Sequence, residues 1–132
     1  MSAIDLHSHS TASDGTLSPA SLVARAYEQS VRVLALTDHD TTAGLEEAAQ
    51  AATKLGIELV AGIELSTQWS KRSLHVVGLG IDPAATALRE LIAALAEIRE
   101  ARAERMAASL AKAGIGGALA GAYRLADGGV PT

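Results

Sequence analysis

The sequence predicts an α/β fold in which parallel strands are flanked by helices. Three observations carry that expectation. Short aliphatic runs alternate with helix-like stretches along the first eighty residues, the pattern of strand–helix–strand units. The polar residues best suited to chemistry, including all four histidines, sit at the edges of those runs rather than on helix faces; in the first three units they lie at the carboxyl ends, where sites form in such sheets. At 132 residues and 48% hydrophobic content, with a mean hydropathy of +0.21, the chain amounts to one domain able to bury a core.

The first run, Ala3, Ile4 and Leu6, leads into His7-Ser8-His9-Ser10-Thr11-Ala12-Ser13-Asp14-Gly15. Residues i and i+2 of a strand point to one face, so His7 and His9 are expected side by side at the end of the first strand. Two convergent imidazoles suit a divalent metal such as Zn, Mn or Fe. Asp14, in a Ser-Asp-Gly turn, either adds a carboxylate to that pocket or only starts the turn. Ser18 and Pro19 read as the cap and first residue of a helix running to about Gln29, with Leu22, Val23 and Ala26 facing the sheet. Val31–Leu36 is the second strand and closes in Thr37-Asp38-His39-Asp40. Residues 44–55 read as a helix stopped by Gly56, and Ile57–Ala61 as a third strand. Ile63–Trp69, carrying Glu64 near its start, and Leu74–Leu79, carrying His75, read as two further strands joined by a polar turn at residues 70–73.

Asp82 and Pro83 read as the cap and first residue of a long helix reaching about Ala113, with Gly114 as its stop and a break in its middle expected. Leu88, Leu91, Ile92, Leu95, Ile98, Met106 and Leu110 form one apolar stripe along it. Arg99 and Arg102 fall inside the stripe and Arg105 at its margin, opposite Glu90, Glu97, Glu100 and Glu104. Inward arginines call for an anion, so these three are candidates for bidentate contact with a substrate phosphate. The competing outcomes are extension to solvent or pairing with an acid outside this segment. Beyond Ile115 the stretch is Gly-rich and its periodicity fades.

The net charge of −4 supplies no basic field for long nucleic acid, and 2% aromatic content argues against a base-stacking platform. No apolar run reaches the ~18 residues a membrane helix needs. A basic leader followed by an apolar segment is absent from the start, so no signal peptide is expected. The absence of cysteine excludes disulfides and thiolate ligands and fits a cytoplasmic protein.

Four ordered motifs, HSHSTASDG, LTDHD, GIELS and LHVVGLGID, resemble the N-terminal motifs of the PHP (polymerase and histidinol phosphatase) family. The resemblance covers about the first 113 residues. It points to the branch of phosphoesterases acting on nucleoside 3′,5′-bisphosphates and on 5′ ends of short RNA. It implies the N-terminal portion of a distorted (β/α)₇ barrel, residues 1–113, with residues 114–132 as the start of a further segment. It also implies a cluster of two or three divalent ions (Mn, Fe or Zn) on His7, His9, Asp14, His39, Glu64 and His75. In that assignment His7, His9 and Glu64 hold one ion and Asp14 and His39 a second, with Glu64 bridging and His75 serving a third. Asp5, Asp38 and Asp40 are expected either to orient the histidines from behind or to form turns.

The expected chemistry is hydrolysis of a small phosphoester, a nucleotide 3′-phosphate or the 5′ end of a short RNA, by metal-activated water. Family members run to roughly twice this length and carry further ligands in their second half, so the isolated chain is expected to be incomplete. It would present an open sheet edge available for self-association. The alternatives are an inactive metal-binding accessory module, a histidinol-phosphatase-like enzyme, or an amidohydrolase-like enzyme, whose barrels also begin with His-x-His. The Thr-Asp-His-Asp motif, and the lack of a strand-end lysine suited to carboxylation, weigh against the last.

Overall fold

The computed structural model of the chain describes residues 3–126. The few residues outside that range, including the last six of the Gly-rich tail, lie beyond the description. Four strands form one sheet: β1 (Ala3–Asp5), β2 (Val31–Leu36), β3 (Glu58–Trp69) and β4 (Arg72–Leu79), in the spatial order of the sequence. The crossovers carry α1 (Pro19–Glu28) and α2 (Leu45–Leu55), so β1, β2 and β3 run parallel. The described residues continue into a helical arm, α3 (Thr86–Lys112) and α4 (Ala118–Leu125).

The two crossover helices form where the local chemistry directs. The Ser18 side chain accepts the Ser21 backbone N–H at 3.2 Å and Pro19 occupies the first helical position. Gly56 ends α2 in the left-handed conformation, φ +70°. Val23 and Ala26 of α1 and Leu45, Ala48 and Ala52 of α2 pack against Val31, Leu34 and Leu36 of β2 and against Ile57. That cluster on one face of the sheet is the core, and Leu22 packs at its edge.

Four expectations are corrected here. Residues 57–61 and 63–69 do not form separate strands; β3 runs unbroken for 12 residues. Gly62 is not a break but a close approach: a Cβ there would lie 2.7 Å from Thr37 Cγ2 and 2.9 Å from the Leu36 carbonyl oxygen. The sheet is also not wholly parallel, because β4 returns antiparallel to β3 after a connection of two residues, Ser70 and Lys71. A parallel return needs a crossover of a dozen residues or more. Finally, the long helix begins at Thr86, three residues after Pro83. Asp82 instead closes a turn, its carboxylate accepting the Ala84 N–H at 2.9 Å. That helix then runs 27 residues without the expected break, and a helix the sequence did not reveal, α4, follows Gly117. No helix among the described residues is long and apolar enough to cross a membrane.

Candidate metal centre

His7 and His9 follow β1, and Ser8 between them fixes their direction. The Ser8 hydroxyl donates to the Ala35 carbonyl at 2.7 Å, its N–H donates to Thr37 Oγ1 at 3.2 Å, and its carbonyl accepts the Thr37 N–H at 2.9 Å. With Ser8 turned toward β2, the flanking histidines share the other face. His39 follows β2 and stands opposite Glu64 in an isolated parallel bridge. His75 sits near the start of β4. Because β4 runs antiparallel, that start lies beside the carboxyl-terminal half of β3, and His75 pairs with Ser66. The reversal of β4 is what brings the fourth histidine to the same edge.

All four imidazoles surround one buried carboxylate. Glu64 Oε2 lies 2.7 Å from His7 Nε2, 3.1 Å from His9 Nε2 and 3.9 Å from His39 Nε2, while Oε1 lies 2.8 Å from His75 Nδ1. Asp14 faces His9 Nδ1 at 3.4 Å and His39 Nε2 at 3.7 Å. The ring centroids step along an arc, His7 to His9 at 5.0 Å, His9 to His39 at 4.6 Å and His39 to His75 at 4.9 Å.

Three overlapping groups result: His7 with His9 and Glu64; His9 with Asp14 and His39; His39 with Glu64 and His75. Within each, the ligand atoms lie within 4.8 Å of one another. Two ligands each about 2.1 Å from one ion stand at most roughly 4.2 Å apart, so each group needs little or no closing to grip an ion. Among the described residues the buried Nδ1 atoms of His9 and His39 have no hydrogen-bond partner, an unsatisfied state that a cation bound at such a nitrogen relieves. The nitrogen and oxygen donor set, without thiolate, fits Mn, Fe or Zn.

Burial lowers the His39 pKa, with the neighbouring His9 and His75 adding to the fall against the opposing pull of Glu64 and Asp14. Burial pushes Glu64 up, but hydrogen bonds from His7 and His75 and the charges around it outweigh that and hold it below its ordinary value. The site thus favours a neutral His39 beside an ionised Glu64, the forms that bind metal.

None of Asp5, Asp38 and Asp40 touches an imidazole nitrogen among the described residues. Asp5 accepts the backbone N–H of His7 at 3.2 Å. Asp38 anchors the loop that carries Asp14: its Oδ1 accepts the Ser10 N–H at 2.7 Å and the Ser13 hydroxyl at 2.6 Å, and its Oδ2 the Ser10 hydroxyl at 2.7 Å. In the same loop a Cβ on Gly15 would fall 2.3 Å from the His9 carbonyl oxygen, so the turn there requires glycine. Asp40 accepts the Ser66 N–H at 2.6 Å and Arg99 Nε at 2.6 Å. These aspartates act on backbone, serine hydroxyls and a guanidinium rather than on rings. The sequence did not single out Ser8, Ser10, Ser13, Thr37 or Ser66. The one available signal was a run of small hydroxyl residues around the histidines.

The arginines divide. Arg99 also donates to Ser66 Oγ at 3.0 Å, so its guanidinium is held in an ion pair within the fold. Its partner, Asp40, lies within the chain, whereas the expected pairing was with an acid outside this segment. Arg102 and Arg105 form no ion pair among the described residues. They line a cavity of about 700 Å³ between α3 and the β3–β4 hairpin, walled by Leu65, Val76, Leu91, Leu95 and Ile98.

The family model described as PHP domain matches residues 5–114. The chain is 53% identical over 126 residues to a 5′-3′ exoribonuclease of Haemophilus influenzae, covering 96% of this chain and 46% of that protein. It is 49% identical over 127 residues to a 3′,5′-nucleoside bisphosphate phosphatase of Chromobacterium violaceum, covering 96% and 45% respectively. A solved structure of an amidohydrolase from Chromobacterium violaceum, with bound sulfate and no metal, superposes with a TM-score of 0.92 at 47% identity, covering 98% of this chain and 46% of that one. The chain therefore spans less than half the length of the relatives it matches.

Proposed function

The chain belongs to the PHP domain family, and from that premise we propose that it is the metal-holding portion of a metal-dependent phosphoesterase. The observation that carries the reading is the convergence of four imidazoles on the buried Glu64 carboxylate. Two or three divalent ions, Mn, Fe or Zn, are proposed on His7, His9, Asp14, His39, Glu64 and His75, with His9, His39 and Glu64 each belonging to two of the three groups. Divalent ions held there supply Lewis acidity toward a phosphoryl oxygen and bring water to its nucleophilic form near neutral pH.

The chain's own residues do the rest. Glu64 and Asp14 stand among the imidazoles, and burial lowers the His39 pKa, toward the neutral form. Arg102 and Arg105 offer positive charge to an anion entering the cavity beside the centre. The proposed substrate is a small phosphorylated molecule, a nucleotide 3′-phosphate or the 5′ end of a short RNA, in keeping with the activities named for the relatives. The proposed compartment is the cytoplasm, where a chain without cysteine has no need of disulfides.

Elemental analysis of the purified chain beside its His7→Ala/His9→Ala variant tests the metal reading. At least one Mn, Fe or Zn per chain, lost in the variant, is the expected result; equal metal in both would refute it. Phosphate release from a nucleoside 3′,5′-bisphosphate, set against hydrolysis of a simple amide, separates phosphoesterase from amidohydrolase chemistry. A second reading, a metal-binding module without turnover of its own, is favoured by the open rim: the His7 and His75 side chains are 55% and 47% exposed. Metal retention without phosphate release would select that reading.

A further inference from the structure

We propose that Asp40 and Arg99 are positioning residues for the metal centre. Together they hold His39 and Glu64 in register and tie α3 to the site. The inference rests on the reading of those two residues as metal ligands.

β2 ends at Leu36 while β3 continues to Trp69, so the outer part of β3, paired with β4 on one side, loses its β2 neighbour on the other just where Glu64 stands. Residues 38–40 replace it. Glu64 N–H donates to the Asp38 carbonyl at 3.1 Å and Asp40 N–H donates to the Glu64 carbonyl at 3.0 Å, which sets His39 opposite Glu64. At Asp40 the backbone then turns away, with φ +53°, a conformation that Asp and Asn tolerate better than most residues. The next rung would be lost, but Asp40 Oδ1 takes the Ser66 N–H at 2.6 Å. A side-chain carboxylate thus stands in for a strand carbonyl.

The other carboxylate oxygen is buried, the side chain being 2% exposed, and needs a cation. Arg99 supplies it through Nε at 2.6 Å, and its Nη2 closes the triangle on Ser66 Oγ. Among the described residues this is the one ion pair between α3 and the sheet. Arg99 therefore neutralises the group that completes the His39–Glu64 register, which separates its role from that of Arg102 and Arg105 in the same cavity wall.

The experiment is Co2+ titration of the full 132-residue chain, followed by visible absorption, for Asp40→Asn, Arg99→Met, the double variant, and Arg89→Met as a charge control on the same helix. Asn at position 40 keeps the backbone conformation and the oxygen that serves Ser66, and it replaces the oxygen facing Arg99 by an NH2 donor, so both the charge and the hydrogen bond presented to Arg99 are removed. Each single variant is expected to weaken Co2+ binding by roughly 10- to 100-fold and to shift the cobalt bands. The double variant should be no weaker than the worse single, because both changes break one unit. Arg89→Met should match the parent.

Arg99→Lys keeps the buried charge paired while losing the forked grip. It gives a folded intermediate case if Arg99→Met unfolds. Variants folded by far-UV circular dichroism that bind Co2+ within twofold of the parent overturn the proposal. The metal-free chain supplies an independent reading. The ring 1H–15N signals of His39 should move in Asp40→Asn and Arg99→Met and stay in place in Arg89→Met. If the parent binds no Co2+, the metal reading falls and the ring signals alone decide the clamp, unmoved signals refuting it.

Discussion

The layer built from residues 3–81 and the arm built from residues 86–125 obey different physics. In the layer, α1, α2 and β2 share one buried cluster, with Val23, Leu34 and Leu36 at most 1% exposed. In the arm, neither α3 nor α4 buries a single residue, although α3 carries a stripe of leucines and isoleucines. An apolar stripe is a request for a partner, and the described chain answers it with one hairpin across a cavity and one ion pair, Arg99 to Asp40. The layer is therefore expected to hold the stability and the metal ligands, and the arm to report on what joins them.

Core truncation breaks or sharpens that contrast most strongly. Leu34→Ala, in the centre of the layer, should lower the unfolding free energy by about 2–5 kcal/mol. Leu110→Ala, in an arm position 38% exposed, should change it by no more than about 0.5 kcal/mol. Urea titrations of the two variants measure this directly. Similar losses would mean that the arm is packed as tightly as the layer.

Metal comes next. A divalent ion that binds only the folded chain, at about a hundred times its dissociation constant, stabilises by ~2.7 kcal/mol. All the proposed ligands lie in the layer, so Mn2+ or Zn2+ should raise its melting temperature and EDTA should reverse the rise. Helix content from the arm should not change. In Glu64→Gln the added stability should shrink sharply, since each of the two groups that share Glu64 loses a charged ligand.

How far the sequence could be read follows the same division. The strand-end histidines, the Ser18–Pro19 start of α1 and the Gly56 stop of α2 are local signals, set by residues within one turn of where they act, and the structure reproduces them. The direction of β4 and the continuity of β3 are not local. Gly62 looks like punctuation until Thr37 is placed against it from another strand. Leu74–Leu79 has the same aliphatic character whichever way it runs, and only the short connection at Ser70 decides. Five of the six proposed ligands were legible as residue types at strand edges and Asp14 as a carboxylate in a turn, but the arrangement that joins them was not. Nothing in the spacing shows that Glu64 receives all four histidines, or that Asp38 serves a loop rather than a ring. In the arm, the apolar stripe gave the helix and its face. Gly116 and Gly117 before α4, and Gly121 within it, hid eight residues of helix.

A smaller effect should appear in acid, at the joint between the two regions. Burial raises the Asp40 pKa, but the Ser66 N–H and hydroxyl and the Arg99 guanidinium outweigh it, and the folded value lies below the ordinary 3.8. A carboxyl held below its unfolded value contributes stability that is fully present above that unfolded value and is lost as pH falls through the folded one. The chain should therefore lose stability below about pH 4, and Asp40→Asn should flatten that acid limb while leaving the neutral-to-alkaline slope alone. An unchanged limb in the variant would mean that other carboxylates govern the acid transition and that the joint contributes little.

The smallest effect is expected at the far end of the arm. The Tyr123 hydroxyl donates to Glu100 Oε1 at 2.9 Å, a hydrogen bond that joins α4 to α3 on an exposed surface. Tyr123→Phe removes that bond and nothing in the layer, so neither the melting temperature nor Co2+ binding should move. An eight-residue helix is too short to hold itself in water, however, so its amides should exchange with solvent faster in the variant. Those of β2 and α1 should exchange at the parent rate. If the layer's amides also speed up, the two regions unfold as one unit, and the arm is a structural member of the layer rather than an attachment held by Arg99.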